Sequence, residues 1–244
     1  MVQYTMKTFK QWKENKETAR NLAVFDFDGT IANVPERPQD WEGKDWWGNR
    51  ASLTPPEEGG FYDGSVNPEV VEAFHKAKAD PQTQTIVLTG RRGIIAPHVR
   101  NVLRNNNLFG KRMFGSKEDM DKYGKDQHPK ENDPEAHEEY FVGDFNNHPD
   151  FPKLQGKKGL VPDGSTFAHK KFVIEKKVAE NGGYDSVEIW DDRKDHIDLF
   201  KSVGKELMKR GQVKSFTIHQ VYPPSYPGVP ATIVNIPVTL DTTW

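Results

Sequence analysis

The chain contains no cysteine, which excludes a disulfide framework and any thiolate metal site and is compatible with a reducing cytoplasm, the expected location. No apolar run approaches the ~18–20 residues needed to cross a bilayer, so no membrane association is expected. Residues 1–20 are polar and Lys-rich, without the apolar core of a signal peptide. An excess of either charge is also missing: 34 basic against 36 acidic residues leave a formal charge of −2. No global positive field therefore advertises nucleic acid, although a local groove can still be basic. There is no internal repeat at a fixed period. The G-x-x-x-x-G-K-[ST] pattern is absent as well, so no attached P-loop kinase can be claimed. What remains is a strongly polar chain of 244 residues, long enough to bury a core and suited to one large domain carrying insertions.

The most informative stretch is Asp26-Phe27-Asp28-Gly29-Thr30, directly behind the apolar run Leu22-Ala23-Val24-Phe25. A strand over Leu22–Phe27 would carry two carboxylates on one side, because side chains at i and i+2 leave a strand in the same direction. One carboxylate could attack phosphorus while the other handles the proton of the leaving group. Gly29 suits a sharp turn at positive φ. A polar strand-ending turn would use similar residues. A calcium loop counted from Asp26 fails, since it would need Gly and Glu where Ile31 and Arg37 stand.

Further along, Asn67-Pro68-Glu69 opens a helix, with Asn as cap and Pro in the first turn; Val70, Val71, Phe74 and Ala77 mark its buried face. Thr85–Thr89 reads as a buried strand running into Gly90-Arg91-Arg92, and a helix follows over about Ala96–Asn106. Helical patterns over Phe167–Glu180 and Asp195–Arg210 flank a strand, Ser186–Trp190, that ends in Asp191-Asp192-Arg193. Ser215–Val221 is another strand, and Thr232–Val238 a possible extra one. Residues 31–66 and 110–165 lack periodicity and read as inserted lid segments, and residues 222–244 as a Pro-rich extension. Alternating strands and helices predict a single Rossmann-like α/β/α domain with a mainly parallel sheet. In such sheets ligands bind beyond the carboxyl ends of the strands, where Asp26, Thr89 and Asp191 all fall.

These residues resemble the four motifs of the haloacid dehalogenase (HAD) superfamily, in order and spacing, over most of residues 22–221. The resemblance implies a phosphoric monoester hydrolase in which Asp26 is the nucleophile, forming an aspartyl-phosphate, and Asp28 the general acid/base. Thr89 and a lysine, Lys170 in preference to Lys171, would hold the phosphate. Asp191 and Asp192, with Asp26 and the Asp28 carbonyl, would bind Mg²⁺, which offsets the repulsion between two anions. Thr30, Gly90 and Arg91 are candidate substrate contacts; Arg91 is equally compatible with a solvated turn, the reading preferred for Arg92. Asp191-Asp192-Arg193 with His196 resembles the Asp-Arg-x-x-His pattern of Swiss-Army-Knife RNA-repair-like HAD proteins. In that setting Arg193 would steady the acidic pair, and His196 would be a surface or packing residue. The layout is also similar to the 3′-phosphatase module of bacteriophage polynucleotide kinase, which implies nucleic-acid 3′-phosphate ends or nucleotides as substrates. Small-metabolite phosphatases and a non-catalytic binding module of the same fold are the alternatives. Trp41, Trp46 and Trp47, near Lys44 and Arg50, could stack on bases but suit burial of the lid better. His128, His137 and His148 fit no closed four-ligand zinc pattern.

Overall fold

The computed structural model describes residues 19–43, 45–108, 138–142, 163–224 and 229–240. Its strands are β1 (Asn21–Phe25), β2 (Thr83–Arg92), β3 (Glu138–Val142), β4 (Tyr184–Asp191), β5 (Val213–Tyr222) and β6 (Thr232–Pro237). Its α-helices are α1 (Pro68–Ala79), α2 (Ala96–Asn105), α3 (Asp163–Asn181) and α4 (Lys194–Lys209). The sheet order is β3-β2-β1-β4-β5-β6. The first five strands are parallel, and β6 returns antiparallel along β5. The α/β sheet with helices on both faces agrees with the architecture expected from the alternation, and the strand at Thr232 is part of it.

The order reverses at β1, since β2 and β3 lie on one side of it and β4 and β5 on the other. Right-handed crossovers therefore send α1 and α2 to one face and α3 and α4 to the opposite face. Side-chain parity along the strands follows this division. Ala23, Phe25 and Val87 join Phe74 of α1 and Val99 and Leu103 of α2 in one core. Leu22, Val24, Ile86 and Leu88 join Ile174 and Val178 of α3 and Phe200 of α4 in the other. Burial on both sides explains the unbroken apolar runs Leu22–Phe25 in β1 and Ile86–Leu88 in β2.

Several boundaries differ from the sequence reading, and β3 and the first turn of α3 fall inside the segment 110–165, which reads in the sequence as an insertion without regular structure. The pairing of β1 stops at Phe25, so Phe27 lies in the following turn. β2 runs on to Arg92, with a register shift against β3 between Leu88 and Arg92. Asn67 occupies the cap position of α1 without capping it: its side-chain amide donates instead to the carbonyls of Gly29 (3.2 Å) and Thr30 (2.6 Å). The helix start is thus tied to the turn after β1. The first insertion folds as short 3₁₀ turns at Trp46–Gly48, Arg50–Leu53 and Pro56–Glu58. Trp46 is buried there, edge-on to Trp41 and Phe61, while Trp47 stays 42% exposed, so the burial expected of the tryptophans holds for Trp46 and not for Trp47. Lys44, His128, His137 and His148 lie outside the described residues. Among the described residues no helix is long and apolar enough to cross a membrane.

Candidate active site

Parallel pairing sets the centre of the site. Phe25 is in register with Trp190, and the Asp26 amide donates to the Trp190 carbonyl at 2.9 Å. That bond extends the ladder one step past β1 and brings Asp26 beside Asp191, the last residue of β4. Both share the parity of Val24 and Ile189, so both face the side on which α3 packs. The buried Lys170 of α3 reaches between them, its Nζ 2.9 Å from Asp26 Oδ1 and 2.7 Å from Asp191 Oδ2. Lys171 points elsewhere, half-exposed toward Glu175 and Glu206. Of the two adjacent lysines, only Lys170 is in the site.

Asp192 completes an acidic group. One carboxylate oxygen from each of Asp26, Asp191 and Asp192 lies within 4.8 Å of the others. Thr30 is fully buried and donates its hydroxyl to Asp192 Oδ1 at 3.4 Å. Gly29 adopts φ +69°, and a Cβ there would meet Asp192 Oδ2 at 2.3 Å. Both positive φ and close approach therefore require glycine.

The electrostatics show how tightly these charges are held. Burial, opposed by Lys170 and reinforced by Asp191 and Asp28, pushes the Asp26 carboxyl up to about 6. Burial, with Asp26 and Asp191 adding to it and Lys170 offsetting part, pushes Asp192 up to about 8. Burial would raise Asp191 too, but Lys170 and His196 outweigh it and hold that carboxyl below its ordinary value. Burial would lower Lys170, yet Asp191 and Asp26 hold its ammonium above the usual lysine value. Three carboxylates with one ammonium leave a net negative, all-oxygen pocket. That donor set fits a hard divalent cation such as Mg²⁺, which takes one or two carboxylates and keeps waters.

A second charged system forms just beyond the end of β1. Asp28 does not follow Asp26, because the chain has left the strand and the period of two no longer applies. Its carboxylate meets Arg91 instead, with Nε at 2.7 and 2.8 Å from the two oxygens and Nη2 at 2.6 Å from Oδ1. The Asp28 side chain is therefore outside the acidic triplet, and only its main-chain carbonyl remains for the metal role anticipated for it. Arg91 is only 1% exposed, so the solvated turn does not describe it. Arg92, by contrast, is exposed near Asp45. Thr89 is buried, and its Oγ accepts the Arg91 amide N–H at 3.1 Å, leaving the hydroxyl proton to donate. Gly90 lies under Thr166 at the start of α3, where a Cβ would come within 2.7 Å of the Thr166 methyl.

The model for HAD domain family 1 in Swiss Army Knife RNA repair proteins matches residues 27–227. The chain belongs to this family. No curated protein and no solved structure matches it. Membership supports a HAD-type phosphatase or a related function. The matched range opens one residue after Asp26, so the place of Asp26 in this HAD domain rests on the geometry described above.

One role differs from that read in the sequence, and one of two alternatives is decided. The Arg193 side chain pairs with Asp195 (2.6 Å), and it is the Arg193 backbone amide that donates to Asp191 Oδ1 at 3.0 Å. Of the two places expected for His196, packing holds and the helix surface does not. It is fully buried against Phe167 and Phe200, with Nδ1 3.1 Å from Asp191 Oδ1. The signal for it was available, since a residue five beyond Asp191 comes back over the strand end in the first turn of α4. Asn67 was legible only as a helix cap, because nothing local says that a side chain 37 residues away serves the Thr30 carbonyl.

Proposed function

We propose that this HAD domain is a Mg²⁺-dependent phosphomonoesterase acting through an aspartyl-phosphate on Asp26, with nucleic-acid 3′-phosphate ends or nucleotides as substrates. The observation that carries the reading is the convergence of Asp26, Asp191 and Asp192 around one point, with Lys170 bridging two of them. A divalent cation held by these three carboxylates would supply charge neutralisation for an anionic substrate. The side chains do the rest. Asp26 attacks phosphorus, and Lys170 at 2.9 Å favours its anionic form. The Lys170 ammonium and the Thr89 hydroxyl offer donors to phosphoryl oxygens. Asp28 gives a proton to the departing alkoxide and as carboxylate then takes one from the water that hydrolyses the acyl phosphate. Family membership among RNA repair proteins and the exposed Trp47 beside the site support a nucleic-acid end over a sugar phosphate.

The test is a panel of monoesters, comprising a generic aryl phosphate, 3′-phosphorylated oligonucleotides, free nucleotides and sugar phosphates, each assayed with Mg²⁺ and with chelator. Metal-dependent turnover that Asp26→Asn abolishes is expected, with the oligonucleotide preferred. Unchanged turnover in Asp26→Asn removes the covalent mechanism, and preference for a sugar phosphate replaces the substrate class.

A further inference from the structure

Arg91 follows a strand-end Thr-Gly pair at the rim of the sheet, where an arginine suggests a phosphate ligand. Its surroundings give it a different task. Nε and Nη2 go to the Asp28 carboxylate, as above. Nη1 donates to the Trp47 carbonyl at 3.2 Å and to the buried Ser52 hydroxyl at 2.7 Å. The guanidinium also lies over two rings, with Cζ 5.9 Å from the centre of Phe27 and 5.4 Å from that of Trp47. Trp47 and Ser52 both belong to the first insertion, so Arg91 is the link between that segment and Asp28.

We infer that Arg91 is a positioning residue that fixes the Asp28 carboxyl for proton transfer, and that the insertion sets the position of Arg91 through Ser52 and the Trp47 carbonyl. The inference rests on the phosphatase reading and assigns a residue within it. In the first half-reaction an Asp26 oxygen forms a bond to phosphorus and the ester P–O bond breaks. The bonding pair leaves on the alkoxide oxygen, and the Asp28 proton moves to that oxygen. The resulting Asp28 carboxylate is the group that the Arg91 guanidinium holds. Nε donates to both of its oxygens, Nη2 adds an ion pair to Oδ1, and Nη1 is anchored on Ser52 and the Trp47 carbonyl, so the planar group fixes the orientation of the carboxylate in a way a lysine point charge cannot.

Leaving-group dependence separates this role from phosphate binding. An aryl phosphate leaves as a stable phenolate and needs little protonation, whereas an alkyl ester needs the acid. Arg91→Lys is therefore expected to lower kcat on the best alkyl ester of the panel by about 100-fold, within the range of general acid catalysis. On the aryl phosphate the loss is expected to stay under about 5-fold, with KM on both nearly unchanged. Ser52→Ala should show the same selectivity at smaller amplitude, and it carries the test if Arg91→Lys fails to fold. In an Asp28→Asn background Arg91→Lys should add less than about 2-fold, since the two residues act as one unit. Equal losses on both esters with a raised KM, or full additivity with Asp28→Asn, would make Arg91 a phosphate ligand and overturn the inference. Absence of Mg²⁺-dependent turnover in the unmodified protein is a separate result that counts against the phosphatase reading itself.

Discussion

Replacing Lys170 by Met keeps an unbranched side chain, one atom shorter, and deletes its charge. The ammonium lies 2.9 Å from Asp26 and 2.7 Å from Asp191, and all three groups are buried. At these separations each contact represents ~6 kcal/mol of Coulomb attraction for an effective dielectric of 20. Desolvation of the ammonium offsets much of that, and breaking one side of a buried pair typically costs ~3–5 kcal/mol net. For a domain of this size ~2–4 °C accompanies each kcal/mol, so the melting temperature of Lys170→Met in chelator should fall by roughly 6–20 °C. The deficit should shrink toward pH 5, because Asp26 and Asp192 already have raised carboxyl values and protonation relieves the uncompensated charge. Mg²⁺ should stabilise the variant more than the wild type, since the cation then supplies the countercharge that Lys170 gave. Calorimetric or fluorimetric melts at pH 5 and pH 8, with and without Mg²⁺, read all three effects. A Lys170→Met protein melting within ~4 °C of wild type in chelator, with an unaltered Mg²⁺ response, refutes the claim that Lys170 compensates these carboxylates.

Proton linkage gives an independent check on the acidic triplet. With Asp26 pushed up to about 6 and Asp192 to about 8, these two carboxyls hold more protons in the metal-free fold than in the unfolded chain above pH ~4. Their contribution to stability should therefore be lost as pH rises through those two values, most plainly above pH ~6.5, where the buried His169 no longer contributes the opposite slope, and Mg²⁺ should remove the loss. At pH 7 metal binding should release about one proton, mainly from Asp192, seen as buffer-dependent heat in titration calorimetry; no release at pH 7 contradicts the assignment. His196→Ala should weaken Mg²⁺ binding by roughly 10–100-fold, because His196 orients the ligand Asp191; an unchanged affinity in the same titration refutes that role. Gly29→Ala should lower stability by ~1–2 kcal/mol from its left-handed backbone alone. It should also weaken Mg²⁺ binding by displacing Asp192, and a variant that melts and binds metal like the wild type shows that the turn relaxes freely.

The chain of residues dictated much of this by local rules. The short, mainly apolar stretches Leu22–Phe25, Ile86–Leu88 and Val187–Trp190, each followed by Asp or Thr, marked strands with polar side chains at their carboxyl ends, and parallel topology carries such ends to one rim. The order of elements and the gathering of Asp26, Thr89 and Asp191 at one rim were legible for that reason, whereas Lys170 was chosen from the resemblance to the HAD motifs. What the tertiary structure decided is how charge is distributed across the sheet. Asp26 and Asp28 read as a pair on one strand, yet the chain leaves β1 at Phe25, so Asp26 turns to Lys170 and Asp28 to Arg91. Arg91, His196 and Asn67 gained their roles from partners 63, 5 and 37 residues away. Hydrophobic periodicity reports which side of an element is buried, but it does not say which distant polar group will be buried with it. A buried charge is tolerated only beside its complement, and that complement is supplied by the fold as a whole.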